Sequence, residues 1–389
     1  MQRYQQEIIE KDLSKKIVFI VGPRQVGKTW LSKEIAKKFK NPLYLNYDNS
    51  KDREIIINES WLDNTDLIIF DEIHKMKNWK NYIKGVFDTK LSQLKILITG
   101  SARLNTFQQS GDSMAGRYFL HNLLPFSLKE LNYVGGDSIS AQDNSSSSSE
   151  NQDISVLQNK LINLGGFPEP LLSNEIKEAK RWRKLYINGL IREDILNFEN
   201  IRNLKAINLL FELLRERTAS PISYNSLARD LDTSANTIKK YIEILESLYI
   251  IFRVTPYSKN IARSILKEPK IYFYDTGLVK GDDGIIFENY VGVSLLKDCL
   301  YKNDVEGENY NLSYLRTKDG KEVDFALVNE NKIVELIEVK HKKSDIPKNL
   351  KYFCDKYNLK GVLLVKELKR EYKVENIEVR LSTNYLSEN

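Results

Sequence analysis

Gly22-Pro23-Arg24-Gln25-Val26-Gly27-Lys28-Thr29 directly follows the apolar run Lys16-Ile17-Val18-Phe19-Ile20-Val21 and precedes a helical pattern that ends near Phe39. This is a G-x-x-x-x-G-K-[ST] phosphate loop in strand, loop, helix order, and it predicts a nucleoside triphosphate site. The residue types follow from that task. Glycines let backbone N–H groups turn inward and approach phosphates where a Cβ would obstruct, and the helix N-terminus adds partial positive charge. Lys28 is the point charge for the β- and γ-phosphates, and Thr29 offers its hydroxyl to Mg²⁺. The expected cofactors are therefore ATP and Mg²⁺, with all eight residues as candidate nucleotide contacts.

Asp66-Leu67-Ile68-Ile69-Phe70 reads as a buried strand that ends in Asp71-Glu72, at the edge where a parallel sheet presents ligand groups. Asp71 suits the Mg²⁺ shell, and Glu72 suits orientation or deprotonation of an attacking water. Such an adjacent acid pair disfavours a small-molecule kinase, whose nucleophile comes with the substrate. A third run, Leu94 to Thr99, leads into Gly100-Ser101-Ala102. Thr99 and Ser101 are expected to hydrogen-bond the water or the γ-phosphate. Arg117, in Ala115-Gly116-Arg117, is a candidate for stabilising phosphoryl-transfer charge, in its own site or in a neighbouring subunit's.

These residues, taken in order with Leu124-Pro125-Phe126-Ser127, Gly165-Gly166-Phe167-Pro168-Glu169, Ile191-Arg192-Glu193-Asp194-Ile195 and Tyr274-Asp275-Thr276-Gly277-Leu278, give the chain a specific resemblance. It resembles the AAA-type ATPases of archaea and bacteria that carry a C-terminal domain of unknown function. The resemblance covers most of the chain and implies an ATPase core, a winged-helix module and a nuclease-like tail.

Composition fits an enzyme of several domains: 389 residues, 41% apolar, 29% charged. No stretch reaches the roughly 18 apolar residues of a membrane helix, and the N-terminus lacks a signal-peptide core, so a cytoplasmic location without membrane contact is expected. Only Cys299 and Cys354 are present, far apart, which argues against a disulfide framework or a zinc site. The net charge of +6 is compatible with nucleic acid.

The expected fold class is α/β: a doubly wound parallel-sheet P-loop core over 1–133, a flexible Ser-rich insertion over 134–154, a helical lid over 155–204, a winged helix-turn-helix over 205–280, and an α/β restriction-endonuclease-like domain over 281–389. Within the lid, Trp182, Tyr186, Leu190 and Ile191 share a side. In 205–280, Thr233-Ser234 caps a third helix that turns Ile238, Ile242, Leu245 and Leu248 inward and leaves Asn236, Lys239, Lys240 and Glu243 outward. Asn236, Lys239 and Lys240 are candidates for a DNA groove, with Lys259, Arg263, Lys267 and Lys270 bracketing a basic wing. A protein-docking role for the same module is the competing reading.

In the last hundred residues, Tyr314–Thr317 and Glu322–Leu327 read as a hairpin around Lys318-Asp319-Gly320, followed by the strand Lys332–Lys340. Alternation puts Glu338 and Lys340 on one face, where Asp324 on the paired strand can approach. Two acids for a metal and a lysine for water or phosphorane charge suit a Mg²⁺-dependent nuclease. The pattern resembles the PD-(D/E)xK nuclease superfamily, which implies Glu288 as an extra acid on an early helix; Val323 stands where that motif has proline. Both an active nuclease and a nuclease-like binding platform keep this fold. The sequence thus predicts an ATP-driven, DNA-associated homo-oligomer, with a regulatory ATPase switch that cuts nothing as the rival.

Overall fold

The computed structural model describes residues 3–100, 114–132, 147–191, 203–258, 268–342 and 344–388. The chain divides into two compact units, Met1–Leu124 and Pro125–Asn389. The segment expected as a lid, 155–204, thus belongs to the second unit together with everything C-terminal to it.

The first unit runs α1 (Gln6–Leu13), β1 (Ile17–Val21), α2 (Lys28–Ala36), β2 (Pro42–Asn46), α3 (Ser50–Asn58), β3 (Leu67–Asp71), α4 (Trp79–Thr89), β4 (Lys95–Gly100) and β5 (Tyr118–Asn122). The strands form one parallel sheet in the order β2-β3-β4-β1-β5. Successive strand residues point to opposite faces, so a sheet covered on both sides needs continuous apolar strands. Ile17, Phe19 and Val21 pack with Ile68, Phe70, Ile96 and Ile98 under α3 and α4 residues Ile56, Ile83 and Val86. Val18 and Ile20 pack with Leu67, Ile69 and Leu97 under Ile9, Leu13, Leu31 and Ile35 of α1 and α2. Because β4 lies between β1 and β3, the loop after β1 and the acids ending β3 share the C-terminal edge of the sheet.

The second unit begins with α5 (Ser147–Leu164), α6 (Pro168–Ser173) and α7 (Ile176–Gly189). Helix α5 takes in the end of the segment expected as an insertion: Ser147 onward is helical, although the run of serines and polar residues carries little apolar periodicity. The Trp182 and Tyr186 rings stack 4.6 Å apart, and Phe167 packs tilted against both. There follow α8 (Leu204–Glu216), α9 (Tyr224–Asp230) and α10 (Ala235–Ser247), then the antiparallel pair β6 (Ile251–Pro256) and β7 (Lys270–Phe273). Ser234 caps α10 through its side chain, which accepts from the Thr237 N–H.

Next come α11 (Asp283–Tyr301), β8 (Tyr310–Arg316), β9 (Glu322–Asn329), β10 (Lys332–Lys342), α12 (Lys348–Tyr357), β11 (Gly361–Glu367), β12 (Tyr372–Val374), β13 (Ile377–Leu381) and α13 (Ser382–Glu388). The mixed sheet has the order β12-β13-β11-β10-β9-β8-β6-β7. Thr255 and Pro256 of β6 pair in parallel with Ser313 and Tyr314 of β8. The β6–β7 hairpin is therefore continuous with the C-terminal sheet. Asn289 of α11 seals the outer edge of β7: its side-chain amide donates to Phe273 O at 2.9 Å and accepts from Phe273 N at 2.7 Å.

Candidate nucleotide site and an acidic cluster

Gly22 connects β1 to the phosphate loop at φ 151°, and a Cβ there would lie 2.1 Å from Leu123 O, so only glycine fits. Gly27, at φ 100°, precedes α2. Val26 is buried, and its carbonyl accepts from the Arg3 guanidinium at 2.6 Å; Arg3 also donates to Leu124 O at 3.1 Å. A buried arginine from before the first helix thus braces the loop from beneath. Sequence reasoning missed it, since nothing local in Arg3 signals a partner more than twenty residues away.

Lys28 is buried, and its ammonium donates to the loop's own carbonyls, Gly22 O at 2.9 Å and Pro23 O at 2.6 Å. Burial pushes it down to about 8, with Glu72 and then Asp71 pulling it partly back. Asp71 collects three hydroxyls: Thr29 at 3.0 Å, Tyr44 at 2.5 Å and Thr99 at 2.6 Å. The Thr99 hydroxyl, expected to reach water or phosphate, instead holds Asp71, and Thr99 is fully buried. Tyr44 was not anticipated; it reaches Asp71 from the neighbouring strand β2, and burial followed by the hydrogen bond to Asp71 raises its phenol.

Glu72 takes a left-handed backbone, φ 58°, immediately after β3. Its carboxylate lies 3.5 Å from His74 Nε2 and 3.7 Å from Lys75 Nζ. Burial raises its carboxyl above the usual range, Lys75 opposes this, and Asp71 adds to it. Lys28, Thr29, Asp71, Glu72 and Thr99 therefore come together at one edge of the sheet. The oxygen set of Thr29 and Asp71 suits Mg²⁺, a hard cation that takes one or two protein oxygens plus phosphates and waters. Ser101 lies outside the described residues.

Arg117 lies elsewhere. It precedes β5, its carbonyl accepts from Ile17 N at 3.1 Å, and its guanidinium pairs with Asp88 at 3.0 Å. It thus flanks the N-terminal end of β1, whereas the phosphate loop leaves the C-terminal end, a strand of five residues and roughly 15 Å away. Arg117 is thus not beside its own chain's phosphate loop.

In the second unit, Glu288 of α11, Asp324 of β9, and Glu338 and Lys340 of β10 lie near one another. Asp324 Oδ2 accepts from Val339 N at 2.9 Å, and Lys340 donates to Glu338 Oε1 at 2.8 Å. Glu338 is 7% exposed, and its Oε2 has no hydrogen-bond partner. Burial and then Asp324 push Glu338 up to about 7 and Glu288 up to about 8, with Lys340 and Lys270 respectively opposing.

Lys270 departs from its expected place. It is not part of an exposed basic wing but 1% exposed on β7, with its ammonium 2.8 Å from Glu322, 3.4 Å from Glu288 and 3.7 Å from Asp324. Tyr272, two residues on and so on the same face, donates to Glu288 at 2.7 Å. A cation already stands among the acids where the sequence expects a metal. Among the described residues no group of three or more His, Cys, Asp or Glu is placed to hold a metal ion. Lys270 thus stands beside Asp324, one of the two acids expected to hold that metal.

Asn236, Lys239 and Lys240 are exposed on α10, as is Glu243, while Ile238, Ile242, Leu245 and Leu248 are buried. Lys259, Arg263 and Lys267 lie outside the described residues. Cys299 and Cys354 are free and buried. No helix among the described residues is long and apolar enough to cross a membrane.

Residues 14–132 match the AAA domain family, and this stretch holds the phosphate loop and the acids ending β3. Residues 156–281 and 283–386 match two domains of unknown function, DUF8612 and DUF4143. An uncharacterized protein of Methanocaldococcus jannaschii is 29% identical over 362 residues, covering 86% of this chain and 77% of its own. One of Haemophilus influenzae is 22% identical, covering 99% of this chain and 98% of its own. Among solved structures, a Walker-type ATPase of Pyrococcus abyssi superposes with TM-score 0.44 at 15% identity, covering 72% of this chain and 94% of that one. The RuvB Holliday junction branch migration motor of Thermotoga maritima gives TM-score 0.32 at 17% identity, covering 64% and 87%. Neither likeness is close enough to carry a functional assignment.

Proposed function

We propose that the chain binds and hydrolyses ATP in its AAA-type unit and associates with DNA through the second unit. The observation that carries the first half is the convergence of Lys28, Thr29, Asp71 and Glu72 at the C-terminal edge of one parallel sheet, with Asp71 fixed by three hydroxyls. In this reading Lys28 neutralises β- and γ-phosphate charge. Thr29 and Asp71 would hold Mg²⁺, which would supply positive charge to screen the phosphates. Glu72, its carboxyl raised by burial, orients the attacking water and takes its proton. Arg117, remote from its own chain's loop, serves a neighbouring subunit's nucleotide, which makes the working form a homo-oligomer.

The DNA half rests on the helices α8 to α10 and the hairpin after them, read as a winged helix, with Asn236, Lys239 and Lys240 exposed on α10. The strands β8 to β10 with α11 are read as a nuclease-like domain. A second reading of that domain, engagement of DNA without cleavage, is favoured by Lys270 standing among Glu288, Glu322 and Asp324.

The test compares Lys28→Ala with Glu72→Gln. The first is expected to abolish ATP binding, and the second to keep binding while turnover falls at least about a hundredfold. Equal loss of binding in both would overturn this division of roles.

A further inference from the structure

The acids of the second unit come from three separate elements, and something must offset their mutual repulsion. Glu288 arrives on α11, and Glu322 and Asp324 on β9, all against the face of β7 that carries Lys270 and Tyr272. Lys270 cannot swing out of this position cheaply. Its backbone is held on both sides of the strand, by register with Val254 and by a bridge to Pro221. Its side chain is 2% exposed and reaches three carboxylates within 3.7 Å. Glu338, next along the cluster, keeps a buried oxygen without a partner, so the acids still offer an unused ligand atom.

We infer that Lys270 is the resident cation of this cluster, an ammonium tethered by β7 that stands in for a divalent metal and excludes one, so that the domain is held together by a lysine. A Mg²⁺ or Mn²⁺ ion bound to Asp324 would sit about 2 Å from its oxygens and only a few ångströms from the ammonium. Two cations at such separation in a poorly solvated site repel strongly, and the fixed one stays. This inference rests on the non-cutting reading of the domain, and supplies its physical cause.

The test is Mn²⁺ titration of the full chain, without nucleotide, followed by electron paramagnetic resonance of free Mn²⁺. The parent, Asp324→Asn, Lys270→Met and the Lys270→Met/Asp324→Asn double variant are compared. The parent and Asp324→Asn are expected to bind alike up to millimolar Mn²⁺. Lys270→Met is expected to gain a site at least about tenfold tighter than any in the parent, and the double variant to lose it. Lys270→Arg, which keeps the charge, should behave as the parent. Mn²⁺ binding by the parent that Asp324→Asn removes would overturn the inference, as would a folded Lys270→Met protein with no new site. Should Lys270→Met fail to fold, the parent and Asp324→Asn decide: a difference overturns, identity supports. Nuclease assay of the parent is a separate readout, so loss of the non-cutting reading is distinguishable from loss of metal exclusion.

Discussion

The Arg183 guanidinium makes two hydrogen bonds to the Asp275 carboxylate, at 2.6 and 3.2 Å, with both side chains nine-tenths or more buried. The same guanidinium donates to Leu164 O at 2.6 Å, and Gly277 N donates to Asp275 at 3.0 Å. This pair explains two glycines in motifs that the nucleotide chemistry does not use. A Cβ on Gly165 would lie 2.2 Å from Asp275 Oδ1, and one on Gly277 would lie 1.9 Å from Arg183 Cζ. Segments more than a hundred residues apart are thus built around one ion pair.

Breaking a buried pair leaves an uncompensated charge, which typically costs roughly 3–5 kcal/mol. Arg183→Ala and Asp275→Asn are each expected to destabilise the second unit by about that much, and the double variant by less than the sum. Chemical denaturation followed by tryptophan fluorescence reads this, since Trp182 lies on the same helix. Strict additivity would mean that the two side chains do not act as a pair.

The burial of Lys28 gives nucleotide binding a pH dependence of definite sign. In the free protein the ammonium is depressed from 10.5 to about 8, first by burial. Bound phosphates favour the charged form, so ATP affinity should fall as pH rises through about 8, by up to about tenfold per unit. The same shift acts on stability. Between about 8 and 10.5 the unfolded chain binds more protons at this group, so its contribution to stability grows as pH rises through that window. Titration with a fluorescent ATP analogue from pH 7 to 9.5 checks the first claim; Lys28→Arg, charged throughout, should lose the dependence. A flat profile for the parent would contradict it.

Arg117 tests assembly. Its pairing with Asp88 is partly exposed and worth at most about 1 kcal/mol, so Arg117→Ala should fold normally. Acting on a neighbour's nucleotide, it should inactivate homogeneous Arg117→Ala protein, while mixing that protein with Lys28→Ala chains should restore part of the turnover. A fully active Arg117→Ala protein would remove it from the mechanism.

The parallel sheet and its site were legible because their signals are local. Eight adjacent residues define the phosphate loop, and the apolar runs of β1, β3 and β4 are continuous because both faces of their sheet are covered. The same holds for α10, where Ser234 and the spacing of Ile238, Ile242 and Leu245 fix both the cap and the buried face. What stayed hidden depends on partners distant in sequence. Lys270 reads as one more basic residue in a lysine-rich stretch until β7 is placed against Glu288 and Glu322. Tyr44 and Arg3 are likewise ordinary until the sheet order brings them to Asp71 and Val26. Helix α5 was missed at Ser147 because serines give neither an apolar stripe nor strong intrinsic propensity.

The exposed face of α10 carries the last prediction. Each lysine that meets a phosphate releases a counterion, so its loss lowers the slope of log affinity against log salt by about one. Lys239→Glu/Lys240→Glu should therefore reduce DNA affinity at least about tenfold and flatten the salt slope by about two. Lys351→Glu, a reversal at another exposed lysine, on α12, should change neither by a comparable amount. Asn236→Ala, which removes no charge, should weaken binding while leaving the slope intact. Fluorescence anisotropy with labelled duplex between 50 and 200 mM salt separates these outcomes. If the double reversal leaves both affinity and slope unchanged, α10 does not meet DNA, and a protein partner becomes the better account of its exposed lysines.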